Sequence, residues 1–316
     1  MKYIYIIIAL VVLGLLIWLT LIPTFFSATN QAVSTDPNDD TAIIPDSEMT
    51  DDSNDDTADE QNNNDASLTE NTETVIGQSA GGNDIVAYHY GSGDTEILLV
   101  AGIHGGYSWN TTALGYELMN HLESIENDLE AVRITVIPTL NPDGLETVFG
   151  TVASIDFASA PTVNATIPGR FNAHEVDLNR NFDCQWQASG TWQNQTVSGG
   201  SQAFSEPETQ AIRDYVEAND IAGAIAWYSA AGGVYSSNCG AGVLPATTIM
   251  TNTYAEAAGY PAYAEYDYYE ITGDMVNWFS KQGIPAISVL LSDHQSTEAS
   301  KNIAGLTAII DYFANN

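Results

Sequence analysis

The chain has 316 residues and carries 41 acidic against 7 basic side chains, a formal net charge of −34. Such a surface repels nucleic acid and anionic lipid headgroups, which excludes both as partners of its folded face. The length suits one large domain or two small ones. The only two cysteines, Cys184 and Cys239, fit an extracellular disulfide and a pair of buried free thiols equally well.

Residues 3–22, YIYIIIALVVLGLLIWLTLI, hold no charge. At ~1.5 Å per residue such a run crosses the ~30 Å apolar layer of a bilayer. Lys2 is the only charge before Asp36, which predicts a cytoplasmic N-terminus. A cleaved signal peptide is the alternative, but its apolar core is usually only ~7–15 residues. Residues 1–30 are therefore expected to be an uncleaved transmembrane anchor, with everything after them extracytoplasmic. The span 31–74 follows as a linker. From Ser34 to Thr74 it holds 14 acidic residues, no basic ones and no aromatics, so it reads as a disordered, self-repelling tether. Its run DDSNDDTADE lacks the glycine and the spacing of a calcium loop.

Residues 75–316 read as one globular domain. Strand-like runs fall at 84–90, 96–103, 131–140, 221–228 and 285–291, between helical runs at 109–126, 206–219, 272–282 and 296–314. Ser205 and Glu208 have the spacing of a capping box ahead of the helix in SEPETQAIRDYVEAN. Strands alternating with helices predict an α/β fold, a largely parallel sheet sandwiched between helices. In such sheets ligands bind at the carboxyl ends of the strands. The stretch AGIHGGYSWN at 101–110 puts His104 at one such end.

Three further stretches complete a pattern: NPDG at 141–144, RFNAHEVDLNRNF at 170–182 and SEPET at 205–209. With GIHGG and the later ITGDMVNWF they resemble the zinc carboxypeptidase family, especially its bacterial branch, over residues 76–314. The resemblance implies a mixed eight-stranded sheet between helices and removal of C-terminal residues from peptides. A catalytic zinc needs three protein ligands and an open position for water. The family supplies a His, a Glu three residues later and a second His at a later strand end, with a Glu from another strand as general base on the bound water.

On that pattern His104 matches the first ligand, but Tyr107 stands in the place of the glutamate. Tyr228 stands where the second histidine belongs, or Ala226 under a shifted alignment, and no histidine lies between His174 and His294. Leu290 occupies the place of the general base. Relocated ligands would have to come from Asp143, Glu146, Asp177 and Asp293, or from the more remote His174 and His294. His104 is thus expected to be a remnant, hydrogen-bonded within the pocket.

The substrate side is intact. The resemblance makes Arg170 the oxyanion arginine, and Asn179 with Arg180 the pair that grips a terminal carboxylate. The alternative is that Asp177, Asn179 and Arg180 only knit their loop. The tyrosine-rich AYAEYDYYE at 262–270 is a candidate for the pocket mouth. The expected function is a membrane-tethered carboxypeptidase-like domain without catalysis, binding the C-termini of peptides or cell-wall peptides. An active metallocarboxypeptidase with relocated ligands and a surface scaffold module are the alternatives, so enzymatic activity is left open. No cofactor is expected, zinc only under the active alternative; the membrane is a partner through the N-terminal helix alone.

Overall fold

The computed structural model describes residues 73–316. The anchor at 1–30 lies outside the described residues, as does the linker except for its last two residues. These two are ordered: strand β1 (Glu73–Gln78) begins inside the span read as linker.

Nine more strands follow: β2 (Asp84–Tyr90), β3 (Thr95–Val100), β4 (Val132–Ile137), β5 (Ser189–Trp192), β6 (Gln195–Ser198), β7 (Ile221–Ser229), β8 (Gly233–Ser236), β9 (Ala262–Tyr263) and β10 (Ala286–Leu291). Eight of them form one mixed sheet in the order β1-β2-β4-β3-β7-β10-β8-β9, and β5 and β6 make a separate hairpin. The inner strands β4, β3, β7 and β10 are mutually parallel, so their carboxyl ends reach one edge together. Pairing of β1 with β2, β2 with β4 and β10 with β8 is antiparallel.

The helices are α1 (Trp109–Ser124), α2 (Pro142–Phe149), α3 (Val163–Thr166), α4 (Pro207–Ala218), α5 (Pro245–Ala258), α6 (Met275–Lys281) and α7 (Ala299–Ala314). Alternation along the inner strands feeds two cores. Ile97, Leu99, Ile225, Trp227, Ile287 and Val289 pack with Leu118 of α1, Met250 and Tyr254 of α5 and Ile309 of α7. Leu98, Val100, Ala224, Ala226 and Leu290 face the other way, toward Ile212 of α4 and Phe279 of α6. Strands buried on both faces need apolar residues at every position, which is why these runs read clearly as strands. Among the described residues no helix is long and apolar enough to cross a membrane.

The expected capping box does not form. Pro207 occupies the first turn of α4 and the N-cap is Glu206, without a side-chain cap bond. Ser205 Oγ instead donates to Glu206 at 2.7 Å, while Glu208 accepts from the Ala80 amide at 2.9 Å and from Asn172 Nδ2 at 3.1 Å. Asn181 Nδ2 also donates to Ser205 Oγ at 2.9 Å, so tertiary partners take both members of the motif. Cys184 and Cys239 are joined in a disulfide, which decides between the two readings of the pair.

Candidate functional site

The chain leaves β3 at Val100 and turns through the HGG loop into α1. Gly105 sits at φ +41°, and a Cβ there would lie 2.7 Å from the Asn141 carbonyl oxygen. Only glycine lets this loop press against the NPDG segment. That segment starts α2, where Asn141 caps the Gly144 amide at 2.9 Å and Pro142 opens the first turn.

His104 is 5% exposed, and neither ring nitrogen has a hydrogen-bond partner. Its Nε2 is 3.7 Å from Asp177 Oδ1, too long for a hydrogen bond. The expectation of a hydrogen-bonded remnant is therefore corrected: the ring packs against Tyr228, centroids 5.7 Å apart, and its nitrogens are left over. Burial, and then the Arg170 charge, push its pKa down to about 4.

The three substituted positions converge on His104. Tyr107 packs between Trp192 at 5.1 Å and His294 at 4.6 Å between centroids. Tyr228 and Leu290 are direct neighbours across β7 and β10, and both line one cavity of about 490 Å³ with His104 and Tyr107. Ala226 lies one pleat deeper in the core, so Tyr228 is the residue at the strand end. Burial pushes the phenols of Tyr107 and Tyr228 up.

These donors do not fit zinc. One imidazole, two phenols held protonated by burial and an aliphatic side chain fall short of three ligands and a base. Of the candidates for relocation, His294 lines the cavity against Tyr107 with its Nδ1 unpartnered, a second imidazole but still short of three ligands; the others are committed elsewhere. Asp177 accepts from Arg170 Nε at 2.9 Å and from the Asn179 amide at 3.1 Å. Asp143 is taken by Gly81, Asn83 and Ala173, and Glu146 by Asn83. Asp293 caps the amides of Gln295 and Ser296, and His174 pairs with Glu206 at 2.8 Å. Among the described residues no three His, Cys, Asp or Glu side chains form a group that suits a metal ion.

The substrate-side residues share the cavity but differ in what they have left to offer. Arg170 is 2% exposed, bonds Asp177 through Nε and, at 2.8 Å, through Nη2, and lies over the Trp192 ring at 4.5 Å. Burial would raise the Asp177 carboxyl, but the Arg170 charge and its other partners hold it well below the usual carboxylate range. That pair is neutral as a unit. Arg180 is 1% exposed and different: Nε and Nη2 bond the Thr191 carbonyl at 3.3 and 2.7 Å, and Nη1 bonds the Asn179 carbonyl at 2.7 Å. Among the described residues no carboxylate lies within ion-pair distance of it. Asn179 donates through Nδ2 to Asp274 at 2.8 Å and accepts at Oδ1 from the Met275 amide at 3.1 Å. Tyr266 and Tyr269 from the tyrosine-rich segment border the cavity, with Glu265, Asp267 and Glu270 around them.

The residue that the sequence reading passed over is Asp274. It lines the cavity, 7% exposed, and caps α6 by accepting from the Asn277 amide at 2.8 Å. Burial raises its carboxyl, with the bonds from Asn277 and Asn179 opposing. The aspartate ahead of the helix in ITGDMVNWF carried an N-cap signal, though nothing there placed it in the cavity.

A parallel-strand edge bearing an HGG loop, an NPDG helix start and a DLNRNF turn around one cavity defines a peptidase-type α/β domain. The chain belongs to the zinc carboxypeptidase family, whose model matches residues 60–304. It is 28% identical to a zinc carboxypeptidase of Simulium vittatum over 158 residues, 47% of this chain and 50% of that protein. It is 34% identical to carboxypeptidase Z of Mus musculus over 122 residues, 34% of this chain and 17% of that one. The matched regions thus span half or less of these relatives. Among solved structures, bovine thrombin-activatable fibrinolysis inhibitor in complex with tick carboxypeptidase inhibitor matches with a TM-score of 0.63 at 17% identity, covering 78% of this chain and 90% of that one. The murein-tripeptide amidase of Escherichia coli O157 matches with a TM-score of 0.54 at 18% identity, covering 77% and 91%. At such identities these two likenesses speak for the fold.

Proposed function

We propose that this is a membrane-tethered, extracytoplasmic carboxypeptidase-like domain that binds peptide or cell-wall-peptide carboxylates without cleaving them. The observation that carries the reading is Arg180. A guanidinium has five N–H donors, and the three bonds to carbonyls leave two unused. A buried charge without a counter-ion is costly, so a carboxylate entering the cavity gains both an ion pair and a bidentate geometry. Arg170 contributes by position only, since Asp177 already neutralises it. Loss of catalysis rests on Tyr107, Tyr228 and Leu290, which supply neither ligands nor base. The tether reading rests on the uncharged run behind Lys2 and the acidic span after it.

Calorimetry with short peptides tests the binding. Peptides with a free C-terminus are expected to bind at least roughly tenfold more tightly than their C-terminal amides, about 1.4 kcal/mol, and Arg180→Gln should erase that difference. Equal binding of acid and amide would leave the surface-scaffold alternative. Elemental analysis after zinc loading and desalting should find no stoichiometric zinc; one tightly held zinc per chain together with peptide cleavage would restore the active alternative.

A further inference from the structure

A second cavity, of about 780 Å³, opens at the opposite edge of the sheet, beside the amino ends of β3 and β4, and shares no lining residue with the first. Behind its lining residues His89 and Tyr215 runs a chain of hydrogen bonds. Tyr215 Oη donates to Oε1 of the buried Glu96 at 2.5 Å, and Thr135 Oγ1 donates to the same oxygen at 2.7 Å. With its proton so placed, Thr135 Oγ1 accepts from His89 Nδ1 at 3.0 Å, and His89 Nε2 accepts from Thr74 Oγ1 at 3.1 Å. Burial pushes the His89 pKa down, which keeps the ring neutral as that pattern requires. The chain holds the His89 and Tyr215 rings nearly parallel, 17° apart, with centroids at 6.5 Å. Other groups in the lining are unspent. Arg133 is exposed, and no carboxylate lies within ion-pair distance of it among the described residues. Glu126 accepts from the Gly91 amide at 2.8 Å through Oε1, but its Oε2 is buried without a partner.

A carboxylate or phosphate entering here would answer Arg133 but meet Glu126 and Glu130, in a chain that is acidic overall. An ammonium group would answer Glu126 but meet Arg133. A hydroxyl accepts from the one and donates to the other without carrying charge, and a ring bearing several hydroxyls can serve more than one wall at once. We propose that this second cavity binds a neutral sugar residue. Arg133 and Glu126 take its hydroxyls, with Ser92 and Asn127 beside them, and its C–H face packs on the exposed parts of the His89 and Tyr215 rings. The volume lies within the ~300–1,000 Å³ of small-ligand pockets. This site is independent of the carboxylate cavity and of whatever binds there.

Calorimetric titrations of the purified full-length chain, in a detergent without a sugar head group, test the assignment. The probes are glucose, N-acetylglucosamine, the trimer of N-acetylglucosamine, inorganic phosphate and spermidine. At least one sugar is expected to bind, and Arg133→Gln and Glu126→Gln should each weaken it roughly tenfold or more, as loss of a charge-assisted hydrogen bond does. Both changes spare the fold: Arg133 is exposed, and glutamine keeps an oxygen for the Gly91 amide. Unchanged thermal midpoints then show that the loss is read on folded protein. Tighter binding of the trimer than of the monomer assigns a glycan chain, equal binding a single free sugar, and both bear the proposal out. Three results overturn it: no sugar binds, either variant binds the sugar as the wild type does, or phosphate or spermidine binds more tightly than every sugar and is lost in the same variants.

Discussion

Replacing His104 with leucine removes two buried nitrogens that have no partner and one group whose titration is shifted far from its value in water. The imidazole pKa falls from 6.5 in a free chain to about 4 here. Near pH 7.5 the group is neutral in both states and contributes no pH slope. Below 6.5 the unfolded chain takes up a proton that the folded chain refuses, so the wild type loses stability at about 1.4 kcal/mol per pH unit until the folded pKa is reached. Summed to pH 4.5, the loss from this one group is about 2.5 kcal/mol. His104→Leu lacks it. Contributions from His89, His294, Glu208 and Asp274 are common to both proteins and cancel in the difference, and Asp177, which His104 helps to hold below its ordinary 3.8, titrates below this range. The variant should be at least as stable as the wild type near pH 7.5, because an unpartnered buried polar group costs about 1–3 kcal/mol. Its advantage should then widen steadily as the pH falls toward 4.5. Denaturant titrations followed by tryptophan fluorescence across that range measure both quantities. Parallel pH profiles for the two proteins, or a leucine variant less stable near pH 7.5, would refute the picture of a buried imidazole without hydrogen bonds.

Three other outcomes are expected. Asp177→Asn leaves the Arg170 guanidinium buried without its carboxylate, which should cost about 3–5 kcal/mol in unfolding free energy; a change under 1 kcal/mol would show that Arg170 has another partner. Because the folded Asp177 pKa is depressed, its contribution is present above an unfolded value of 3.8 and lost as the pH drops below it, so the variant's deficit should shrink in that acid range. Breaking the Cys184–Cys239 bond, which closes a separation of 55 residues, should cost about 4 kcal/mol by the chain-entropy relation, read as a lower urea midpoint in Cys184→Ala/Cys239→Ala. Protease added to intact cells should release the folded domain while residues 1–30 stay with the membrane; a soluble chain beginning near Thr29 would mark a cleaved signal instead.

The inner strands were legible because burial on both faces forces continuous apolar runs, as in EILLV and AISVLL. Strands β8 and β9, at the sheet edge, are only four and two residues long and left no comparable run. Helix α5, PATTIMTNTYAEAA, went unread because threonines interrupt its apolar face. At the site, the chain positions of His104, Tyr107, Tyr228 and Leu290 could be read from motifs, and all four line one cavity. What motifs could not supply were the partners. That Arg170 is spent on Asp177 while Arg180 is not, and that Asp274 shares the cavity, depend on contacts between segments up to 96 residues apart.

The neighbouring placement of Tyr228 and Leu290 also limits what a single substitution can do at this strand edge. Placing a ligand at one strand end and a base at the next would take two substitutions in direct contact. Leu290→Glu alone would put a carboxylate at a position 8% exposed, beside a phenol and with no metal to receive it. That step carries the penalty of an unpaired buried charge, several kcal/mol against a total stability of about 5–15. The contact between the two strand ends thus couples these positions: neither can take a charged group alone without a cost in stability.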